Sequence, residues 1–231
     1  MNLSTMHRHL ARWHIWLGWL AGVPLVMWIV TGLVMVARPI DEVRGEHLRK
    51  HVPEIPLPAG SEIAISLPPG ADRAIRAVET TMEERAPVTR ITYMDGVVER
   101  YAEDGVKLPP LSDVSARMLV ADAIIGGEEV IGTQLFTAEA SPLDFRRHVD
   151  VWRVSLADGT YVYVGRETGR IEAVRTRWWR IFDIMWGLHI MDLDEREDTS
   201  HPILIAAAAL SALAVLMGVI LLFRRRRAVP R

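Results

Sequence analysis

Two long stretches of the chain are apolar without interruption, and the sequence between them is broken into short periodic runs. From 13 to 37 the only ionisable side chain is His14, and from 202 to 223 there is none. At 1.5 Å per helical residue these stretches reach roughly 37 and 33 Å, against a hydrocarbon core of about 30 Å, so both predict transmembrane helices, the first kinked at Pro24. Between them, Ile75, Val78 and Met82 recur at helical spacing and predict a helix over 71–85. Short β-prone runs at 88–94 and 97–102 flank Asp95-Gly96, with a further turn at Asp104-Gly105, which predicts a hairpin whose type I′ turn has positive φ at both central residues. Ser112 is placed to cap a helix from 113 to about 125, followed by strands over 129–136, 149–156, 160–165 and 170–174, with turns at Asp158-Gly159 and Thr168-Gly169. The pattern implies two helix-then-hairpin units, the second larger: an α+β domain of helices laid on antiparallel sheet, built as two divergent α-β repeats. Last, Trp178, Phe182, Met185 and His189 share one stripe of an amphipathic helix over 177–191, expected along the membrane surface or, alternatively, as the final helix of the domain.

Charge turns this pattern into a topology. The formal net charge of -2 hides a division: all 29 acidic residues lie between Asp41 and Asp198, and seven of the 27 basic residues lie at the ends, leaving 20 against 29, or -9, in the middle. Arg8 and Arg12 precede the first span, and Arg224, Arg225, Arg226 and Arg227 follow the second, so the positive-inside rule puts both termini in the cytoplasm and the intervening domain outside, as in a two-pass protein of a bacterial inner membrane. Trp13, Trp16 and Trp19 at one interface and Trp178, Trp179 and Trp186 near the other fit aromatic belts in contact with the lipid bilayer. The first span is expected to stay as an anchor, because it is longer than a signal-peptide core and Met35-Val36-Ala37 is no small-x-small cleavage site. The chain then divides into a cytoplasmic start (1–12), span (13–37), proline-rich linker (38–70), outer domain (71–176), interfacial helix (177–191), acidic loop (192–201), span (202–223) and basic tail (224–231).

Composition narrows the chemistry. With no cysteine, disulfides and thiolate catalysis are excluded, and an acidic bulk argues against a nucleic-acid partner. Glu128, Glu129, Asp144 and His148 have no ligand spacing, and Asp192, Asp194, Glu195, Glu197 and Asp198 lack an EF-hand order, so the latter read as a solvated acidic loop. No nucleophile elbow, Walker loop or dinucleotide fingerprint occurs, so no catalytic residues are assigned and an independent enzyme is not expected. Gly18 and Gly22 form a small-xxx-small face that, with Gly218, would serve packing between the spans or a homodimer.

The run VWRVSLADGTYVYVGRETGRIEAV resembles the PepSY domain, a helix-on-antiparallel-sheet module. His14, Leu17, Gly18, Thr31 and Gly32 in the first span, and WRIFDIMWGLHIMDLDERED followed by SHP, are similar to PepSY-associated membrane helices. The resemblance implies a non-enzymatic binding or accessory module that meets a peptide, a peptidase or a larger membrane complex. Larger relatives imply an alternative, a b-type haem protein assisting periplasmic ferric-siderophore or metal reduction, for which His14, His189 and His201 are the candidate ligands. A bis-histidine haem needs two imidazoles at one depth, and His14 is expected about 30 Å across the membrane from the other two, which could meet if the helix over 177–191 folds back on the second span.

Overall fold

The computed structural model describes residues 3–51, 53, 55–59, 73–83 and 86–227. They divide into two units, one formed by Met1–Ile40 with Trp179–Arg231 and the other by Asp41–Trp178.

The first unit is helical. It contains α1 (Leu3–Met35), α5 (Pro202–Arg227) and all but the first two residues of α4 (Arg177–Ile190). Arg8–Met35 and Pro202–Phe223 are long and apolar enough to cross a membrane, giving a two-pass chain. The less exposed positions of α1 (His14, Leu17, Ala21, Trp28, Thr31) and of α5 (Leu204, Ala207, Ser211, Ala214, Gly218) recur every three or four residues, so each helix offers the other one narrow seam. Elsewhere both helices are apolar and uncovered by protein, as with Trp19 at 79% exposed and Phe223 at 62%. A helix apolar all round belongs in a core or a bilayer, and these two are long and apolar enough for the bilayer. Gly18 and Gly22 are not where the helices close: a Cβ on either would meet nothing within 4 Å, whereas one on Gly218 would stand 2.9 Å from Cε1 of His14.

The second unit carries the sheets. Its sequence begins before the domain was expected to. α2 (Ile40–Arg44, of which Asp41 onward belongs here) and a 3-10 turn over Glu46–Leu48 bury Val43 and pack Leu48 on the core, and Lys50 donates its N–H to the Ala123 carbonyl. The first third of the expected linker is thus folded domain, while 60–72, with two of its prolines, lies outside the described residues.

The helix expected over 71–85 is instead strand β1 (Ile75–Glu83), paired antiparallel with β2 (Ala86–Tyr93), which pairs with β3 (Val98–Tyr101). Ile75, Val78, Thr80 and Thr81 are β-branched, which lowers helix propensity and favours a pleated strand. Three apolar positions at helical spacing do not outweigh a partner strand that takes up the backbone hydrogen bonds. The two-repeat expectation therefore fails for the described residues of its first half, which form a three-stranded sheet with a strand where the helix was expected. The hairpin turn also differs from type I′: Gly96 has φ 85°, but Asp95 does not join it at positive φ, and its carboxylate instead accepts the Val97 N–H at 3.1 Å. Gly96 N–H bonds the Tyr93 carbonyl and Tyr93 N–H the Val97 carbonyl, a tight turn closed by one left-handed glycine.

The second half follows the sequence. Ser112 accepts the Ser115 N–H and starts α3 (Asp113–Ala123), and four strands follow in the order β4 (Val130–Phe136), β5 (Val151–Leu156), β6 (Tyr161–Gly165), β7 (Ile171–Arg175). Strand alternation splits β5 and β6 between two cores. Val154, Leu156, Val162 and Val164 meet Ala116 and Val120 of α3, and Val151 and Tyr163 meet Phe145, whose ring stacks on Tyr163 at 4.8 Å. With both faces covered, each fully buried valine contributes roughly 1.5–3 kcal/mol.

Candidate functional site

In the first sheet, strand register builds an electrostatic conflict. Arg90 on β2 stands directly opposite Arg100 on β3, so both guanidiniums leave the same face of the sheet, and both are over 90% buried. Like charges directly opposed are unfavourable, and burial penalises each charge again. Burial, with Arg170 and Arg100 adding to it, brings Arg90 down to about 10, and burial likewise lowers Arg100. At neutral pH both stay charged.

Their partners are unequal. Arg90 donates from Nε to the Thr168 carbonyl (2.8 Å), from Nη1 to Thr81 (3.1 Å) and from Nη2 to Glu83. Arg100 makes one hydrogen bond among the described residues, to the Pro109 carbonyl at 3.2 Å, and its ion pair with Glu83 is long at 3.7 Å. Among the described residues Glu83 is the one carboxylate within ion-pair distance of both cations, with Glu79 and Glu172 acting on Arg90 and Glu167 on Arg100 from further away. Gly169, with φ 63°, lets the turn between β6 and β7 lie against Arg100, since a Cβ there would stand 2.7 Å from Nη1.

Both arginines line a half-open cavity of about 830 Å³ within the second unit. Its walls are residues of β1 and β2 up to Glu83 and from Ala86, α3 and the turn at Gly169, and its apolar lining includes Met82, Val88, Leu111, Met118, Leu119 and Ile171. A concave apolar surface with a few converging polar groups is the usual form of a ligand site. Sequence reading missed it. The available signal was Arg90 and Arg100 at the β-prone centres of VTRITY and VVERY, where a charged residue must either face solvent or find a partner.

The opposite face of that sheet is fully paired. Glu99 accepts hydrogen bonds from Lys107 (2.7 Å), Tyr101 (2.6 Å) and Tyr93 (2.9 Å), with Lys107 the largest influence holding its carboxyl down at about 2.

In the first unit the expected histidines separate. His189 Nδ1 lies 2.9 Å from the Thr31 hydroxyl, and Trp28 donates its indole N–H to the His189 carbonyl at 2.7 Å. The Thr31 hydroxyl also stands 2.8 Å from the Met27 carbonyl, so it bridges its own helix and the imidazole. Gly32 lies beside the ring, its Cβ position 3.7 Å from Cε1 of His189. The Thr-Gly of the first span and the histidine of WGLH are therefore one contact. His14 instead packs on Gly218, and its Nδ1 is buried without a hydrogen bond among the described residues. His201 begins α5, its carbonyl accepting the Ile205 N–H at 3.2 Å, and its Nδ1 is likewise buried and without a hydrogen bond.

Of the expected interface residues, Trp13, Trp16 and Trp19 are exposed on α1, and Trp178, Trp179 and Trp186 are half-buried. Trp186 also donates to the Arg196 carbonyl at 3.0 Å. Arg8 and Arg12 are exposed on α1; Arg224, Arg225, Arg226 and Arg227 end α5, with side chains outside those described. The acidic loop is not simply solvated. Asp192 is buried and accepts N–H groups from Glu195 (3.3 Å), Glu197 (3.0 Å) and Asp198 (3.1 Å), the bond from Asp198 foremost in lowering its pKa. Arg196, at φ 58°, turns back to pair with the buried Asp183 of α4. Asp194, Glu195, Glu197 and Asp198 stay exposed, and among the described residues no group of three or more His, Asp or Glu is placed to hold a metal ion.

No curated protein and no solved structure matches the chain. Among known families, one described as "PepSY-associated TM region" matches residues 11–231, which takes in both membrane helices, both sheets and α4. With the Thr31–Gly32–His189 contact, the two spans and the helix-on-sheet unit between them all falling inside that match, the chain belongs to the PepSY-associated TM region family.

Proposed function

We propose that this two-span membrane protein is a non-enzymatic binding or accessory module. Its second unit is presented on the periplasmic side of a bacterial inner membrane to a peptide, peptidase or membrane-complex partner, with both termini cytoplasmic. The cavity above Arg90 and Arg100 carries this reading. Guanidiniums that stay charged through neutral pH hold anions and carbonyls but do not exchange protons, so they suit binding rather than acid–base catalysis. The test is a scan of photo-reactive side chains over the exposed surface of the second unit in membranes of the producing cell. Discrete adducts to one partner, clustered around the cavity, are expected, and no adduct at any position would overturn the reading. For topology, an alkaline phosphatase fusion near Pro110 should be active and one after Arg231 inactive; the reverse would invert the orientation.

One observation favours b-type haem as a second reading: the Thr31 hydroxyl stands 2.9 Å from Nδ1 of His189, and a metal-binding imidazole usually has its other ring nitrogen held by a bond of this kind. The fit restricts the pair. Seventeen residues separate His14 from Thr31 along α1, roughly 26 Å, too far for one iron to join His14 and His189. His201 is also seventeen residues from Gly218, the neighbour of His14, which brings it about level with Thr31 on the antiparallel helix. His189 and His201 would hold the group, which would supply one-electron chemistry. Detergent-purified protein made with ample haem should then show a Soret band lost in His189→Ala and kept in His14→Ala; a spectrum without that band removes this reading.

A further inference from the structure

Two buried arginines stand in register, and Glu83 is the one carboxylate among the described residues within ion-pair distance of both. The cavity lining carries Arg49, Arg90, Arg100 and Arg170 against Glu83 and Asp122. Arg49 and Arg170 have partners of their own, Glu46 at 3.1 Å and Glu79 at 2.7 Å, and Arg90 has three. Arg100, with a planar fork of five N–H donors, makes one hydrogen bond among the described residues, and Glu167 acts on it only as a charge beyond ion-pair distance. Fastening the two sheets does not account for it, because Arg90 already ties β2 to the Thr168 carbonyl and Arg100 only rests against Gly169.

Carboxylate is the chemistry that matches a guanidinium fork, and the paired hydrogen bonds it forms are the strong ones. The rest of the lining asks for apolar neighbours: Met118, Leu119, Val88 and Ile171 frame the space. At about 830 Å³ it takes a few residues of a peptide rather than a long segment. A carboxylate that arrives with apolar side chains on one side only is the end of a chain. We propose that the cavity binds the C-terminal carboxylate of a peptide with apolar last residues, Arg100 taking the carboxylate and the walls of α3 and the β1–β2 hairpin taking the side chains. This rests on the binding-module reading and names the ligand class of its cavity.

The test uses the full chain in lipid nanodiscs and a dye-labelled peptide of alternating alanine and leucine, made as free acid and as C-terminal amide. Anisotropy should show saturable binding of the acid and at least a tenfold weaker affinity for the amide. Arg100→Gln should lose the preference for the acid, and Arg100→Lys should regain part of it. Because Arg100 is buried, Met118→Glu on the exposed face of α3 is the second variant: it places a carboxylate at the cavity mouth without disturbing the core and should weaken acid binding at least tenfold. No binding of the acid, equal binding of the amide, or wild-type binding by folded Met118→Glu would each overturn the proposal. Cross-links elsewhere on the second unit alongside such a result would keep the binding module and remove this ligand.

Discussion

The buried polar groups around His189 and those around Arg100 solve the same problem in opposite ways. At His189 both Nδ1 and the backbone carbonyl have partners: the Thr31 hydroxyl stands 2.9 Å from Nδ1, and Trp28 donates its indole N–H to the carbonyl. At Arg100, among the described residues, two cations share the one carboxylate within ion-pair distance of both, and a forked donor keeps one hydrogen bond. The comparison teaches which polar cluster holds the protein together and which has something left to bind. Closed networks rigidify, whereas an under-paired buried charge is costly and persists where function requires it.

The largest effect should come from Arg90→Ala, which leaves Glu83 and the Thr168 carbonyl without their donor. About 3–5 kcal/mol of stability should be lost, read as a lowered denaturation midpoint by tryptophan fluorescence in detergent. Little change would mean that Arg90, too, is not a fastener, and the contrast between the arginines would collapse. Gly218→Leu comes next. Its side chain would enter the space of the His14 ring, costing about 1–3 kcal/mol of helix pairing, while Gly18→Ala should cost nothing measurable by the same melt. Thr31→Val tests the clasp itself. It should cost about 1 kcal/mol, the usual size of an interhelical hydrogen bond in lipid, and a double-mutant cycle with His189→Ala should show the two losses coupled. The last effect appears only in acid. Glu99 is depressed from 4.5 to about 2 in the fold, so its contribution is complete above about pH 4.5 and disappears as pH falls through about 2. Glu99→Gln should flatten that part of the stability profile and leave peptide binding unchanged.

Much of this was legible in the order of residues. Both spans, α3 with its Ser112 cap and the four strands of the second sheet follow from unbroken apolar runs, a capping residue and glycine turns, all of them local signals. What was not legible depends on pairing. Ile75, Val78 and Met82 look helical until β2 lies beside them, and Arg90 and Arg100 become a site only when register sets them face to face. The proline-rich linker hid Val43, which is buried, and Leu48, which packs against a core built from α3 and the second sheet far along the chain. Thr31, Gly32 and His189 were all singled out, but as separate motifs more than 150 residues apart; only the folding of α4 against α1 makes them one contact.

The most direct measurement is hydrogen–deuterium exchange of the protein in native membrane patches compared with the purified chain in nanodiscs. A partner seated in the cavity should slow exchange across α3 and the β1–β2 hairpin in the native membrane, with α4 around His189 unchanged. Equal exchange in both preparations, or slowing confined to α4, would contradict the claim that this protein works by binding at the Arg90–Arg100 cavity.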